Sequence, residues 1–274
     1  MSSVSIVVPA FNEEDAISGL LASIHALHLD AEIVIVDDAS TDRTAEIAMQ
    51  HGAHVVRHPM NCGYGKSVKD GVAAAAHDTI IVTDADGTYP VDRIPELLDI
   101  YNRGFDMVVG ARQGKAYRGT FLKMPARYVF KFLVEFTTGR HIPDINSGMR
   151  IFSKKTVEKY FPDICNGFSF TTTITLIYLL TGKMVTYVQI PYSKRIGKSK
   201  VKIIRDSLRT LQYITECIVR YNPLKLFLLF AILSFLIGLI GLIFSPLLFF
   251  QGLFFAVLIF AVGCIAETMR RPQQ

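Results

Sequence analysis

From Leu226 to Ala266 the chain carries no charged side chain, and no other feature restricts its fold as much. A bilayer core offers no water to backbone N–H and C=O groups, so a crossing segment must satisfy them internally. Leu226–Phe244 and Leu247–Ala266 are each about the length of a bilayer-spanning helix. Ser245-Pro246 separates them, and Asn222-Pro223 breaks the pattern before the first. The expectation is a membrane segment over 223–268, with helices at about 224–244 and 247–266. Arg220 and Lys225 precede the pair, Arg270 and Arg271 follow it, and the turn between has no basic residue. The positive-inside rule then puts both termini and the rest of the chain in the cytoplasm, with the turn across the membrane. Gly238 and Gly241 permit close helix packing. A helix pair buried in a soluble core is the competing reading, and two adjacent uncharged spans argue against it.

The residues before Asn222 are of another kind. The chain is 50% hydrophobic, but the excess collects after Asn222, so a soluble part is joined to a membrane part. A net charge of +5 fits anionic partners: nucleic acid, phospholipid headgroups or phosphorylated substrates. Much of the basic charge lies between Lys194 and Lys225, beside the apolar tail, which favours a lipid bilayer and not nucleic acid. Cys62, Cys165, Cys217 and Cys264 have no CxxC spacing and read as free thiols in a reducing compartment. The opening VSIVVPAFNEE lacks a basic leader and reads as a buried strand, not a signal peptide.

Strand and helix signals alternate through the first half. Val4–Val8, Ile33–Val36, Ala53–Arg57, Thr79–Thr83 and Met107–Val109 read as strands. Glu13–Leu27, a segment capped by Ser40 and running to Gln50, Gly65–Ala76 and Asp92–Asn102 read as helices. Repeated β-α units predict an α/β fold with a mostly parallel sheet covered by helices. Ligands of such sheets sit beyond the carboxyl ends of the strands. Those ends carry Pro9 to Glu13, Asp37-Asp38 and Asp84-Ala85-Asp86. Further on, Thr120–Phe136 has the pattern of an amphipathic helix lying on a membrane or on the protein itself. Phe170–Leu180 reads as a buried helix and Met184–Ile190 as a strand. Residues 201–222 form an amphipathic juxtamembrane helix, and 1–200 the catalytic domain.

Chemistry concentrates at IVTDADGTYP. Asp84 and Asp86 follow a buried strand, and neighbouring carboxylates repel unless a cation neutralises them. Hard divalent ions, Mg²⁺ or Mn²⁺, bridge carboxylate to phosphate and compensate a diphosphate leaving group. An aspartate-capped turn is the plainer reading of an isolated DxD. Its neighbours decide. VSIVVPAFNEE, IVIVDDASTDRT and TDADGTYP, in this order, resemble the family 2 glycosyltransferases, which have the Rossmann-like GT-A fold. VVGAR at Val108–Arg112, DINSGMRIF at Asp144–Phe152 and RIGKSK at Arg195–Lys200 continue the resemblance. With the two spans, they are similar to the branch that charges polyprenyl phosphate. That branch includes dolichol-phosphate mannose synthases and bacterial undecaprenyl-phosphate glucosyltransferases.

The resemblance implies roles. Pro9, Phe11 and Glu13 line the nucleoside pocket, Val36 belongs to the donor-binding set, and Asp38 contacts base or ribose. Asp84, Ala85 and Asp86 hold nucleotide and metal, with Asp86 the direct ligand and Thr88 offering an oxygen to the metal or its water. Arg112 and Arg127 receive the acceptor phosphate; Arg195, Ser199 and Lys200 close over the donor diphosphate. Asp144 is a candidate base that in this branch orients an arginine or the sugar. Thr88 and Tyr89 stand where dolichol-phosphate mannose synthases commonly carry Gln and His, so the resemblance names neither sugar nor nucleotide. Phe168–Thr175, FSFTTTIT, has no acidic residue where hydroxyl-glycosylating relatives place a base. A phosphate acceptor needs none.

The expected activity is inverting, metal-dependent transfer of a hexosyl group from a nucleotide-diphosphate sugar to undecaprenyl or dolichyl phosphate. A membrane transferase acting on a sugar hydroxyl is the rival, and a non-catalytic membrane scaffold the rival of another class. Assembly into a homo-oligomer is open. GYGKS at Gly63–Ser67 evokes a P-loop, but Met60 stands where the first Gly belongs, so it reads as a loop and helix start. The seven histidines show no metal-ligand spacing and read as surface residues.

Overall fold

The computed structural model describes residues 3–114, 124–193 and 203–270. Its first half alternates β1 (Val4–Ala10), α1 (Glu14–His25), β2 (Ala31–Asp37), α2 (Thr44–Gln50), β3 (His54–Arg57), α3 (Tyr64–Ala74), β4 (Thr79–Val82), α4 (Ile94–Tyr101) and β5 (Met107–Gln113). There follow α5 (Met124–Thr138), β6 (Arg150–Ser153), α6 (Lys154–Glu158), α7 (Phe170–Leu180), β7 (Val185–Pro191) and α8 (Ile203–Tyr221). The chain then turns into α9 (Pro223–Gly241) and α10 (Pro246–Met269).

The strands form one sheet in the order β3-β2-β1-β4-β6-β5-β7. All neighbours are parallel except β6, which runs antiparallel to both β4 and β5. That reversal brings a loop to the site. Arg150, at the start of β6, pairs with Val82 at the end of β4. The loop before β6 therefore arrives at the edge where the parallel strands end.

Side chains alternate across each strand, so the sheet needs cover on both faces. Val7, Val34 and Val36 face a core with Val68 and Val72 of α3 and Phe170 and Ile174 of α7. Ile6, Val8 and Ile35 face the other, with Ile17 and Leu21 of α1 and Ile94 and Leu97 of α4. Each fully buried Leu or Ile contributes about 1.5–3 kcal/mol. Because both faces are buried, β1 runs apolar from Ile6 to Ala10 without alternation, which made it legible.

Several expectations shift. Ser40 does not cap α2: its hydroxyl accepts from Asn12 N at 2.9 Å, while Asp42 Oδ1 accepts from Thr44 N at 3.0 Å. The hydroxyl is drawn to the neighbouring loop, leaving the helix start to the carboxylate. The helix expected at Asp92 begins as a 3₁₀ turn, Val91–Arg93. β5 runs on to Gln113, because β7 pairs along its whole length. The strand β6 went unread, being only four residues inside a polar motif. The amphipathic segment expected over Thr120–Phe136 is helical over Met124–Thr138, and residues 120–123 lie outside the described residues. Its Val134 and Thr137 are buried, and Phe132 is exposed. In α8, Ile214, Cys217, Ile218 and Tyr221 turn into the core that includes α7, so the protein uses much of its apolar face.

α9 and α10 are both long and apolar enough to cross a membrane. They pack on each other through small residues. A Cβ on Gly238 would lie 2.8 Å from Gly252 Cα, and one on Gly241 2.8 Å from Leu248 Cβ. Ser245 Oγ accepts from Leu247 N to start α10. Their outward faces expose Leu233, Ile237, Ile240, Phe254 and Val257 among others. A core helix pair of a soluble protein would bury these side chains.

Candidate active site

Four loops meet at the carboxyl edge of β1, β2 and β4. Pro9 pairs in register with Val36, so the ends of β1 and β2 lie side by side, and Asp38 N donates to Ala10 O. The loops beyond them are laced together. Thr41 N donates to Asn12 Oδ1, Glu13 N to Thr44 Oγ1, Glu14 N to Asp42 Oδ2 and Arg43 N to Glu14 Oε2. Asn12 and Ala39 hold positive φ of 52° and 64°, a strain that this lacing sustains. Phe11 and Glu13 sit half-buried on the laced loop.

Asp38 is 4% exposed and organises the loop before α3. Its carboxylate accepts from Cys62 N at 2.7 Å and Gly63 N at 2.9 Å, and meets His58 Nδ1 at 2.8 Å. The expectation that every histidine lies on the surface fails here. The His58 side chain is 8% exposed, wedged between Asp38 and Asp70. A single polar residue after a short strand carries no periodic signal of burial, so sequence reasoning missed it. GYGKS forms the loop and first turn of α3, as expected.

The DxD segment is held from both sides. Tyr64, at the start of α3, donates its hydroxyl to Asp84 Oδ1 at 3.0 Å. Burial, and then the Asp84 charge, push the Tyr64 hydroxyl well above its ordinary pKa, so it remains a donor. A Cβ on Gly148 would lie 2.6 Å from Asp84 Oδ1; only a glycine leaves room for the carboxylate. Asp86 is buried, and its Oδ1 accepts from Thr88 N at 3.2 Å and Thr88 Oγ1 at 2.6 Å. Ala85 is buried between the two aspartates. Ser193 N donates to Thr88 O, which ties the segment after β7 to the same loop.

Arg112 leaves the end of β5 and forms a bidentate pair with Asp144, Nε to Oδ2 at 2.7 Å and Nη2 to Oδ1 at 2.9 Å. Arg112 N also donates to Asp144 Oδ2, and the guanidinium lies 5.3 Å from the Tyr192 ring centroid. Tyr192 in turn packs edge-on against Tyr89, whose hydroxyl accepts from Gly148 N at 2.7 Å. Beneath them Arg150 is fully buried. It donates to Ser147 O, to Thr171 O at 3.1 Å and to Thr175 Oγ1 at 3.2 Å, joining the glycine loop to α7. Burial lowers the Arg150 pKa, but a guanidinium keeps its proton in proteins.

The structure thus gathers Asp84, Ala85, Asp86 and Thr88 in one segment, pairs Arg112 with Asp144, and sets Pro9, Val36 and Asp38 at adjacent strand ends. The Arg127 side chain and all of Arg195, Ser199 and Lys200 lie outside the described residues. Sequence reasoning missed Tyr64, Tyr89, Gly148, Arg150 and Tyr192 as contributors. Gly148, Arg150, Tyr89 and Tyr64 stood inside segments already singled out, but nothing there pointed to these roles; Tyr192 had no signal short of the fold.

The topology has solved counterparts. Glucosyl-3-phosphoglycerate synthase from Mycobacterium tuberculosis matches with a TM-score of 0.62 over 80% of both chains at 21% identity. One structure of that enzyme holds Mn²⁺, UDP-glucose and phosphoglyceric acid. Mannosyl-3-phosphoglycerate synthase from Rubrobacter xylanophilus matches with a TM-score of 0.62 over 80% of this chain and 73% of that one, also at 21% identity. These likenesses place the architecture in the GT-A class of glycosyltransferases. The chain belongs to Glycosyl transferase family 2, whose sequence profile matches residues 5–161. Dolichyl-phosphate hexose transferase of Haloferax volcanii is 32% identical over 199 residues, 72% of this chain and 86% of that protein. Undecaprenyl-phosphate 4-deoxy-4-formamido-L-arabinose transferase of Klebsiella pneumoniae is 28% identical over 281 residues, 95% of this chain and 84% of that protein.

Proposed function

We propose that the protein transfers a hexosyl group, with inversion, from a nucleotide-diphosphate sugar to the phosphate of a polyprenyl phosphate at the cytoplasmic membrane face. One observation carries this reading. Asp144, the candidate base read from the sequence, is committed in a bidentate pair to Arg112, and the start of α7 offers no carboxylate. A hydroxyl acceptor needs its proton removed; an anionic phosphate does not. Similarity to transferases named for dolichyl and undecaprenyl phosphate supports the same acceptor.

The donor nucleoside lies against Phe11 and Glu13, beyond the strand ends that bury Pro9 and Val36, with Asp38 fixing the pocket wall. Asp84 and Asp86, with Thr88, form an all-oxygen donor set suited to Mg²⁺ or Mn²⁺. Tyr64 and Thr88 each orient one carboxylate of that set through a hydrogen bond. A divalent ion held there supplies charge compensation to the departing diphosphate. Asp144 presents Arg112 to the acceptor phosphate. In-line attack by the phosphate oxygen forms the new glycosyl bond as the nucleoside diphosphate leaves.

The two apolar helices span the bilayer with both outer ends on the catalytic side. Arg270, at the end of α10, donates to Tyr221 O at 2.7 Å, and Lys225, at the start of α9, donates to Thr137 O at 3.0 Å. The start of the hairpin is thereby bound to α5 and its end to α8. Release of nucleoside diphosphate by the detergent-purified protein tests the reading. Undecaprenyl phosphate is expected to stimulate release from a matched donor with Mn²⁺ present. Stimulation by a sugar-hydroxyl acceptor and not by the lipid phosphate would favour the rival transferase.

A further inference from the structure

Away from the DxD segment, Asp38, His58 and Cys62 each offer one ligand atom, and these atoms all lie within 4.8 Å of one another. The three come from the end of β2 and the loop between β3 and α3. We infer that they form a second metal site, distinct in chemistry from the aspartate pair and suited to Zn²⁺.

The histidine carries the argument. His58 Nε2 lies 3.0 Å from Asp70 Oδ2, and Nδ1 lies 2.8 Å from Asp38 Oδ1. A carboxylate holding the far nitrogen is the usual support of a metal-bound imidazole: it accepts a hydrogen bond from Nε2–H and leaves the Nδ1 lone pair to the ion. That lone pair then faces a carboxylate oxygen, acceptor against acceptor, unless positive charge lies between them. A second ring proton or a metal ion supplies it. Lys66 Nζ bonds Asp70 Oδ1 at 2.5 Å, which holds Asp70 in place for this role. Asp38 is held by Cys62 N and Gly63 N, so its oxygen is fixed without a cation.

The donor set chooses the metal. One nitrogen, one thiolate and one carboxylate suit Zn²⁺, whereas the all-oxygen set of Asp84, Asp86 and Thr88 suits Mg²⁺ or Mn²⁺. Three protein ligands leave a fourth position open. Cys62 is exposed, which gives the ion a route in. A bound ion would staple the end of β2 to the loop that starts α3.

The full-length protein in detergent, stripped with chelator and kept in excess Mg²⁺, tests this by Zn²⁺ titration. Alkylation of Cys62 by N-ethylmaleimide, located by peptide mass spectrometry, is the second readout. One equivalent of Zn²⁺ is expected to bind and to slow Cys62 alkylation about 10-fold or more, since a metal-held thiolate is no longer a free nucleophile. Cys62→Ser is expected to lose that binding, and Asp70→Asn to weaken it by roughly 10–100-fold. Cys62 alkylation at one rate in Zn²⁺ and in Mg²⁺ would overturn the site. Equal Zn²⁺ affinity in Cys62→Ser and the unaltered protein would overturn it as well.

Discussion

Thr88 stands two residues from Asp86 and donates both its backbone N–H and its hydroxyl to the same carboxylate oxygen. In the proposed site it therefore orients Asp86. A hydrogen bond to a charged group is worth about 1.5–3 kcal/mol. Thr88→Val should therefore lower kcat roughly 10–100-fold, and Asp86→Ala roughly 10²–10³-fold, the size seen on removing a preorganised electrostatic group. Initial rates at saturating donor, with circular dichroism unchanged, check this. Asp42 gives a pH prediction. Burial raises its pKa, but the Thr44 hydroxyl and the Thr44 and Glu14 N–H groups outweigh burial and hold it below 3.8. A depressed carboxylate pKa stabilises the fold above the unfolded value, and that contribution is lost as pH falls through the folded value. Melting temperature should thus fall on acidification below about pH 4, and Asp42→Asn should fall less steeply over the same range.

At the level of elements, α3 lies unusually close to the sheet. A Cβ on Gly71 would meet Val7 Cγ1 at 2.5 Å and Val36 Cγ2 at 2.8 Å, whereas one on Gly19 of α1 would meet nothing within 4 Å. Gly71→Ala should destabilise by about 1–3 kcal/mol through overpacking. Gly19→Ala should stabilise by about 0.4–1 kcal/mol by restricting the unfolded chain. Urea unfolding of the two variants should move the midpoint in opposite directions. The same contrast shows what the sequence reveals. β1, β2 and β4 announced themselves because strands buried on both faces carry runs of consecutive apolar residues. The strand β6 did not, because its partners on either side, and not its own pattern, make it a strand. The DxD pair and Arg112 were legible as motifs. Their supports Tyr64 and Tyr192 were not, since each reaches the site from another element only after the sheet has assembled. His58 was misread for the same reason: its burial comes from Asp38 and Asp70, twenty residues before it and twelve after.

For the whole molecule, the hairpin is fastened at its start to α5 and at its end to α8. The C-terminal half of α8 turns its apolar face inward, and Tyr221 Oη donates to Asp163 Oδ2 at 2.5 Å. Arg220 pairs with Asp163 Oδ1 at 2.6 Å. Held this way, the active-site edge keeps a set relation to α9 and α10, as an enzyme with a membrane-bound acceptor requires. Everything proposed for the site turns on the identity of that acceptor, and the product reveals it. The purified protein, given a donor labelled in the sugar, Mn²⁺ and undecaprenyl phosphate, should place the label in the organic phase. Mild acid should release it as free sugar, because a glycosyl phosphate is acid-labile. Label recovered only in an acid-stable glycoside would contradict a phosphate acceptor.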